Sequence, residues 1–416
     1  MTKNAFNDVC TNETSPKWDR CIQRCDEIYQ RSDDIRSEFT RDYNRILHCN
    51  AFRRLKHKTQ VFFATSHDHI CTRVEHVNHV SSVSYSISKY LGLNTELSSA
   101  IAIGHDIGHA PFGHAGESFL KNIIKCEIKG TFWHERNSLR FADLYETLPD
   151  TEGFEKNLNL TYAVRDGIIC HCGEIDNEAL FPREESIDLN KIEKASEYPP
   201  FTWEGCIVKV SDKISYLGRD IEDAITLKVL TYTQAKKLSK ILKKTLEIDD
   251  LHEINNTVLM HKLMCDLCND SSPKVGIKLS AKYYYFMKAI KEFNYDNIYN
   301  HNRLKAYKNY AELVIKSIFE VLKNFYVGED TIEKLERHKD LYPLLISNFI
   351  DWIVKYFNVR NNKKVLTKYK VKIKRLRNKV IYNTNNEQDY IMAVIDFISG
   401  MTDSFAIKIF NEITSF

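Results

Sequence analysis

Histidine is the residue whose placement in this chain points to chemistry: ten of the fifteen fall between His48 and His134. Glycine gathers in the same stretch, with Gly104, Gly108, Gly113 and Gly116 giving four of the chain's fourteen. In Gly104-His105-Asp106-Ile107-Gly108-His109-Ala110-Pro111-Phe112-Gly113-His114-Ala115-Gly116-Glu117 the glycines interleave with three His, one Asp and one Glu. A purely structural loop rarely needs that many titratable groups, whereas metal ligation and proton transfer both use imidazole and carboxylate. A His-Asp doublet can hold a divalent ion only in the notch between two side chains about 100° apart on a helix, so further donors must come from other elements.

Those elements are legible upstream and downstream. Val77, Val80, Val83, Ile87 and Leu91 recur at helical spacing, Gly92-Leu93-Asn94 supplies a turn, and Thr95 is the expected N-cap of a second helix ending near Gly108. His76 and His105 then stand at the open and closing ends of a helical hairpin, on arms roughly 22 Å and 16 Å long, and antiparallel packing brings them together. A third helix is expected over 207–216, a largely apolar pattern that encloses Asp212. A carboxylate buried in such a pattern needs a cation or strong hydrogen bonds. His79, three residues after His76, reads as an ordinary core or surface residue. Cys265-Asp266-Leu267-Cys268, the only CxxC, reads as a stray pair in a helix, since zinc would need two more ligands at matching spacing.

The chain has 416 residues with 43% hydrophobic and 28% charged, enough for a full-sized core. That excludes a disordered tail or a disulfide mini-protein. Low glycine and proline point to long helices and short connections. No apolar run reaches the ~18 residues of a membrane span, and residues 1–8 lack the apolar core of a signal peptide. A cytoplasmic protein is expected, with its eleven cysteines reduced.

At the His and Asp positions above, the sequence resembles the HD superfamily of metal-dependent phosphohydrolases. More narrowly it resembles the deoxynucleoside triphosphate triphosphohydrolase (dGTPase-like) branch. The narrower likeness rests on Arg41-Asp42-Tyr43-Asn44-Arg45-Ile46-Leu47-His48, Ala51-Phe52-Arg53-Arg54-Leu55, Lys58-Thr59-Gln60-Val61-Phe62, Gly167-Ile168-Ile169-Cys170-His171, the loop over 105–117 and Gly400-Met401-Thr402-Asp403. It runs in order from about residue 35 to 230 and recurs near 388–412.

The resemblance implies one divalent metal held by His76, His105, Asp106 and Asp212, without distinguishing Mg, Mn, Co, Fe or Zn. It implies catalytic roles for His114, Glu117 and His134, phosphate contacts from Arg73, His109, Lys213 and Tyr216, a sugar 3'-hydroxyl contact from Gln60, and Asp220 near sugar and base. These types suit the reaction: positive charge gathers on the triphosphate, and an imidazole with pKa near 6.5 can protonate the departing 5'-oxygen. Which histidine gives the proton is left open. Cys71 and His79 replace a commonly basic and a commonly acidic residue of the family, and Ser404-Phe405 replaces a common Arg-Tyr, so base preference is not carried over.

The C-terminal half shows helical periodicity, and Tyr283-Tyr284-Tyr285-Phe286 reads as packing rather than base stacking. From Lys355 to Lys379 there are eleven Lys+Arg and no acid; the whole chain carries +3, so the remainder carries −8. Tyr369, Val371 and Ile373 alternate with Lys368, Lys370, Lys372 and Lys374, which predicts a half-exposed basic strand. Two readings of it are balanced: a guarded edge strand, or a site for a nucleotide or single-stranded nucleic acid effector.

The expectation is therefore a mainly α protein. An N-terminal segment 1–35 leads to an HD catalytic domain 36–235, followed by a helical region 236–416 with a short basic β element near 365–380 that returns to complete the core. As a homo-oligomer without a membrane partner, it is expected to hydrolyse deoxynucleoside triphosphates to deoxynucleoside and inorganic triphosphate. The competing readings are an HD phosphohydrolase for another nucleotide phosphoester, separable by whether tripolyphosphate is released, and a nucleotide- or nucleic-acid-binding regulator, which leaves His114, Glu117 and His134 without a purpose.

Overall fold

The computed structural model describes residues 3–27, 33–62, 67–171, 179–246, 255–359 and 363–415. It is mainly α: nineteen α-helices and one two-stranded antiparallel ribbon, in which Thr147 pairs with Asn157 and Pro149 with Glu155, occur among the described residues. The chain divides into two compact units. The first contains residues 1–44, 60–106 and 160–307, and the second 45–59, 107–159 and 308–416.

In the first unit the expected hairpin is present. A helix over Arg73–Leu91 is closed by Gly92, whose φ of 83° suits a residue without Cβ, and the return helix runs over Thr95–Gly104. The boundaries differ in two ways from the reading of the sequence. Asn94 rather than Thr95 is the N-cap, accepting from the amides of Glu96 and Leu97, and the return helix stops at Gly104, so the doublet lies just beyond its last turn. Both arms pack on a helix over Trp203–Thr226, which buries Ile207, Val210, Ile214, Leu217 and Ile221 in the unit's core.

Gly167 explains why one of the family motifs carries a glycine. A Cβ there would lie 2.5 Å from Ile101 Cδ1, so only glycine lets the Tyr162–Cys170 helix approach the return helix, and this sets His171 beside His105 with ring centroids 4.9 Å apart. Cys265 and Cys268 lie on a helix over Asn256–Asp270, as expected. The ten described cysteines are all free thiols.

The second unit is built around an aromatic cluster of Tyr145, Phe349, Trp352, Tyr356, Tyr390 and Phe397. Its basic segment corrects the sequence reading: it is not a strand but two short helices, Lys363–Lys368 and Lys370–Arg375. Val365 is buried and Tyr369 and Ile373 half-buried, a spacing of four, whereas Val371, which a strand would have turned inward, is 76% exposed. The unit's own acids hold the register: Lys364 pairs with Glu333, Lys368 with Glu336, and Lys372 with Asp351. Lysine's good helix propensity removes any local bias against this outcome. Three of the segment's eleven positive charges are thereby matched within the unit.

Among the described residues no single helix is long and apolar enough to cross a membrane.

Candidate metal centre and catalytic histidine cluster

Two clusters of donors form, one in each unit. In the first unit His76 Nε2 lies 3.0 Å from Asp212 Oδ1, and His105 Nε2 lies 3.6 Å from Asp106 Oδ2 and 3.9 Å from Asp212 Oδ1. The state of His105 can be worked out. Its Nδ1 is 2.6 Å from the carbonyl of Ala102, which only accepts, so the proton is on Nδ1 and Nε2 carries a lone pair. Burial pushes this imidazole down to about 4, against the pull of Asp106, so it is neutral at physiological pH.

The Nε2 atom is buried and has no hydrogen-bond partner. A buried lone pair facing two carboxylate oxygens is an arrangement that repels itself, and a divalent cation relieves it. Burial also raises the Asp212 carboxyl, but the hydrogen bond from His76 and the nearby histidines outweigh it and hold the group below the ordinary carboxylate range. His76, His105 and Asp212 offer ligand atoms all within 4.8 Å of one another, and Asp106 meets the same His105 nitrogen, a nitrogen and oxygen set that suits hard and borderline divalent ions alike.

The structure brings Arg73 and Gln60 to the same place. Arg73, buried, pairs through Nη1 with Asp106 Oδ2 and donates from Nη2 to the backbone oxygen of Gln60 at 3.3 Å. The Gln60 side-chain Oε1 is buried with no hydrogen-bond partner, an acceptor suited to a hydroxyl donor. Lys213 and Tyr216 border a cavity of about 380 Å³ with Tyr284, Lys288, Lys291 and Tyr295. Within the aromatic run over 283–286, Phe286 is fully buried and Tyr283 packs on it, while Tyr284 meets the cavity.

Asp220 is buried and accepts from the Tyr299 hydroxyl at 2.5 Å, and burial lifts its carboxyl to about 7. The folded state therefore holds this proton where the unfolded chain has lost it, and stability falls as pH rises from about 4 through about 7. Asp220→Asn keeps an acceptor for Tyr299 and removes the penalty. It is expected to be more stable than wild type at pH 8, by ~1.4 kcal/mol for each tenfold difference in proton affinity between the folded and unfolded carboxyl, and no more stable at pH 4. Urea denaturation at the two pH values reads this out, and an equal change at both contradicts it.

In the second unit His114 Nδ1 lies 3.2 Å from Glu117 Oε2, and His134 Nδ1 lies 3.1 Å from the same atom. The His134 amide also donates to Glu117 Oε1 at 3.0 Å. Burial raises the Glu117 carboxyl, but the His134 charge and the bonds from both histidines overcome it and hold it well below the usual carboxylate range. Glu117 is thus a fixed negative charge shared by two imidazoles. His109 stacks on His134 with centroids 4.5 Å apart. His114 is 74% exposed and His134 buried, so of the two His114 is the one open to solvent.

The sequence alone does not reveal what pins this loop. Lys58 donates to the carbonyls of His109 and Ser399, Asn137 Nδ2 to that of Gly108 at 2.5 Å, and the Phe112 amide to Asp403 Oδ1 at 2.9 Å. Asp403 Oδ2 takes the amide and hydroxyl of Thr59. Phe112 adopts a positive φ of 63° within this frame, and a Cβ on Gly116 would strike the Pro111 carbonyl oxygen. The signal lay in the Lys58-Thr59 and Thr402-Asp403 segments of the family resemblance, whose purpose only the fold supplies. Asp403 is therefore a positioning residue. Asp403→Ala strands the buried Phe112 amide and frees the loop, and turnover is expected to fall up to ~100-fold with metal content unchanged. Loss of metal in step with turnover contradicts that role.

Comparison with known proteins bears on what these groups serve. The HD domain family matches residues 73–217. A deoxyguanosinetriphosphate triphosphohydrolase-like protein of Caldanaerobacter subterraneus subsp. tengcongensis is 33% identical over 304 residues, 73% of this chain and 76% of that protein. The chain belongs to the deoxyguanosinetriphosphate triphosphohydrolase-like family. Further members are similar over nearly their whole length: one from Clostridium tetani at 31% identity covers 93% of this chain and 88% of itself, and one from Rickettsia bellii at 30% covers 91% and 92%. Membership in the triphosphohydrolase-like family makes the chain an HD phosphohydrolase, a class that uses a divalent metal.

Proposed function

We propose that this protein hydrolyses deoxynucleoside triphosphates to deoxynucleoside and inorganic triphosphate. The observation that carries the metal-dependent part of the reading is the buried, unpartnered Nε2 of His105 facing the carboxylates of Asp106 and Asp212. His76, His105, Asp106 and Asp212 would hold the ion, which supplies Lewis-acid polarisation of phosphate oxygens.

The chain's own groups account for the rest. Arg73, Lys213, Tyr216 and His109 neutralise and orient the triphosphate, Gln60 Oε1 accepts from the sugar 3'-hydroxyl, and Asp220 lies toward sugar and base. His114, the exposed imidazole, protonates the departing 5'-oxygen, and Glu117 orients its ring while His134 holds Glu117 in place. A reducing cytoplasmic setting belongs to the same proposal, and eleven irregularly spaced cysteines in a chain of this length suit it. Assembly of identical subunits belongs to the same proposal, and light scattering reads it.

The test is incubation with each deoxynucleoside triphosphate, singly and mixed, with Mg²⁺, Mn²⁺ or Co²⁺, and ion chromatography of the products. Tripolyphosphate with free deoxynucleoside is expected. Orthophosphate or pyrophosphate instead, or no product from the mixture, moves the assignment to another phosphoester.

A further inference from the structure

We propose that the histidine cluster of the second unit is itself a divalent-metal site, selective for a borderline ion such as Zn²⁺ and built from donors other than His76, His105, Asp106 and Asp212. His109, His114, Glu117 and His134 each offer one ligand atom, and these four atoms lie within 4.8 Å of one another. Tetrahedral zinc with bonds of about 2.0–2.2 Å needs its ligands roughly 3.4 Å apart. Two of the donor pairs already meet this, at 3.1 and 3.2 Å, and the others need closure of an ångström or so.

Three imidazoles and a carboxylate form a nitrogen-rich set that suits zinc far better than magnesium or calcium, which prefer oxygen. His114, being exposed, gives an ion access and can rotate to complete the shell.

A fifth group beside the four donors also points to a cation. The Glu135 carboxylate is 1% exposed, neither of its oxygens has a hydrogen-bond partner, and Oε2 lies 3.3 Å from His134 Nδ1. With Glu117 this places two carboxylates on the one His134 nitrogen. A cation held at that nitrogen would lie against both carboxylates and satisfy the buried Glu135 oxygens directly. On binding, the protons now shared between Glu117 and the Nδ1 atoms of His114 and His134 leave to solvent and the ion takes their place. The binding claim stands on this geometry alone. Its consequence, that zinc silences hydrolysis by occupying His114 and Glu117, rests on the function proposed above.

Equilibrium dialysis against Zn²⁺, with metal analysis per chain, tests it. Wild type is expected to hold two equivalents, Asp106→Asn one, the His114→Ala/Glu117→Gln double variant one, and the triple variant none. His114→Ala alone, at an exposed position that folding tolerates, should weaken the second equivalent at least about tenfold, with circular dichroism unchanged. One equivalent in wild type, or two in the double variant, overturns the proposal. With hydrolysis assayed separately in zinc-free buffer with Mg²⁺, Mn²⁺ or Co²⁺, two zinc equivalents but no tripolyphosphate would sink the hydrolytic reading and leave this one standing; tripolyphosphate with a single zinc equivalent would do the reverse.

Discussion

Asp106→Ala is expected to lose the first-unit metal and to lower hydrolysis by at least about a thousandfold, because Lewis-acid catalysis is worth several kcal/mol of barrier. Asp106 faces the His105 lone pair and neutralises Arg73. Removing the carboxylate breaks the buried Arg73–Asp106 pair, a change that costs ~3–5 kcal/mol. The variant is therefore less stable as well as inactive. Asp106→Asn separates the two effects, since it keeps the shape and one oxygen while removing the charge. Metal analysis and kinetics on both variants, with folding followed by circular dichroism, give the answer. A folded Asp106→Asn protein with full metal content and full activity contradicts the assignment.

His114→Ala is expected to do something different: retain the first-unit metal and lose turnover by roughly 10²- to 10⁴-fold, the contribution of a positioned general acid. The side chain is mostly exposed and its one described bond is to Glu117, so little stability goes with it. The Glu117–His134 pair stays intact. The loss should therefore fall on kcat, with KM nearly unchanged, as for an interaction made in the transition state. A substrate with a better leaving group than a 5'-alkoxide, such as a p-nitrophenyl ester, should recover most of the rate, because its oxygen needs no proton. A variant equally slow on both substrates would mean that His114 is not the acid.

The two clusters differ in how much of them can be read from residues alone. His76, His105, Asp106 and Asp212 are legible because helical periodicity fixes which ends of a hairpin meet, and because an acid inside an apolar helix pattern demands a partner. The cap at Asn94 and the stop at Gly104 lie a few residues from where the sequence suggests, since several adjacent residues can satisfy the same capping chemistry. Local pattern fails over 368–374, where the residues fit a period of two, yet burial follows a period of four set by Glu333, Glu336 and Asp351 from elsewhere in the unit. No sequence window contains those partners.

The same limit hides Lys58 and Asp403. Each holds the histidine loop across a long span of chain, Asp403 reaching Phe112 from 291 residues away. His171 sits in a motif of the family resemblance that assigns it no role, and its place beside His105 depends on the close approach that Gly167 permits.

Which bond this site breaks is decided by hydrolysis in ¹⁸O-labelled water with a divalent metal present, followed by mass spectrometry of both products. Water attack at the α-phosphorus predicts one ¹⁸O in tripolyphosphate and none in the deoxynucleoside, with no labelled product from Asp106→Asn. Label in orthophosphate, pyrophosphate or a nucleoside monophosphate, or in the 5'-hydroxyl of the deoxynucleoside, would contradict triphosphohydrolysis at this centre.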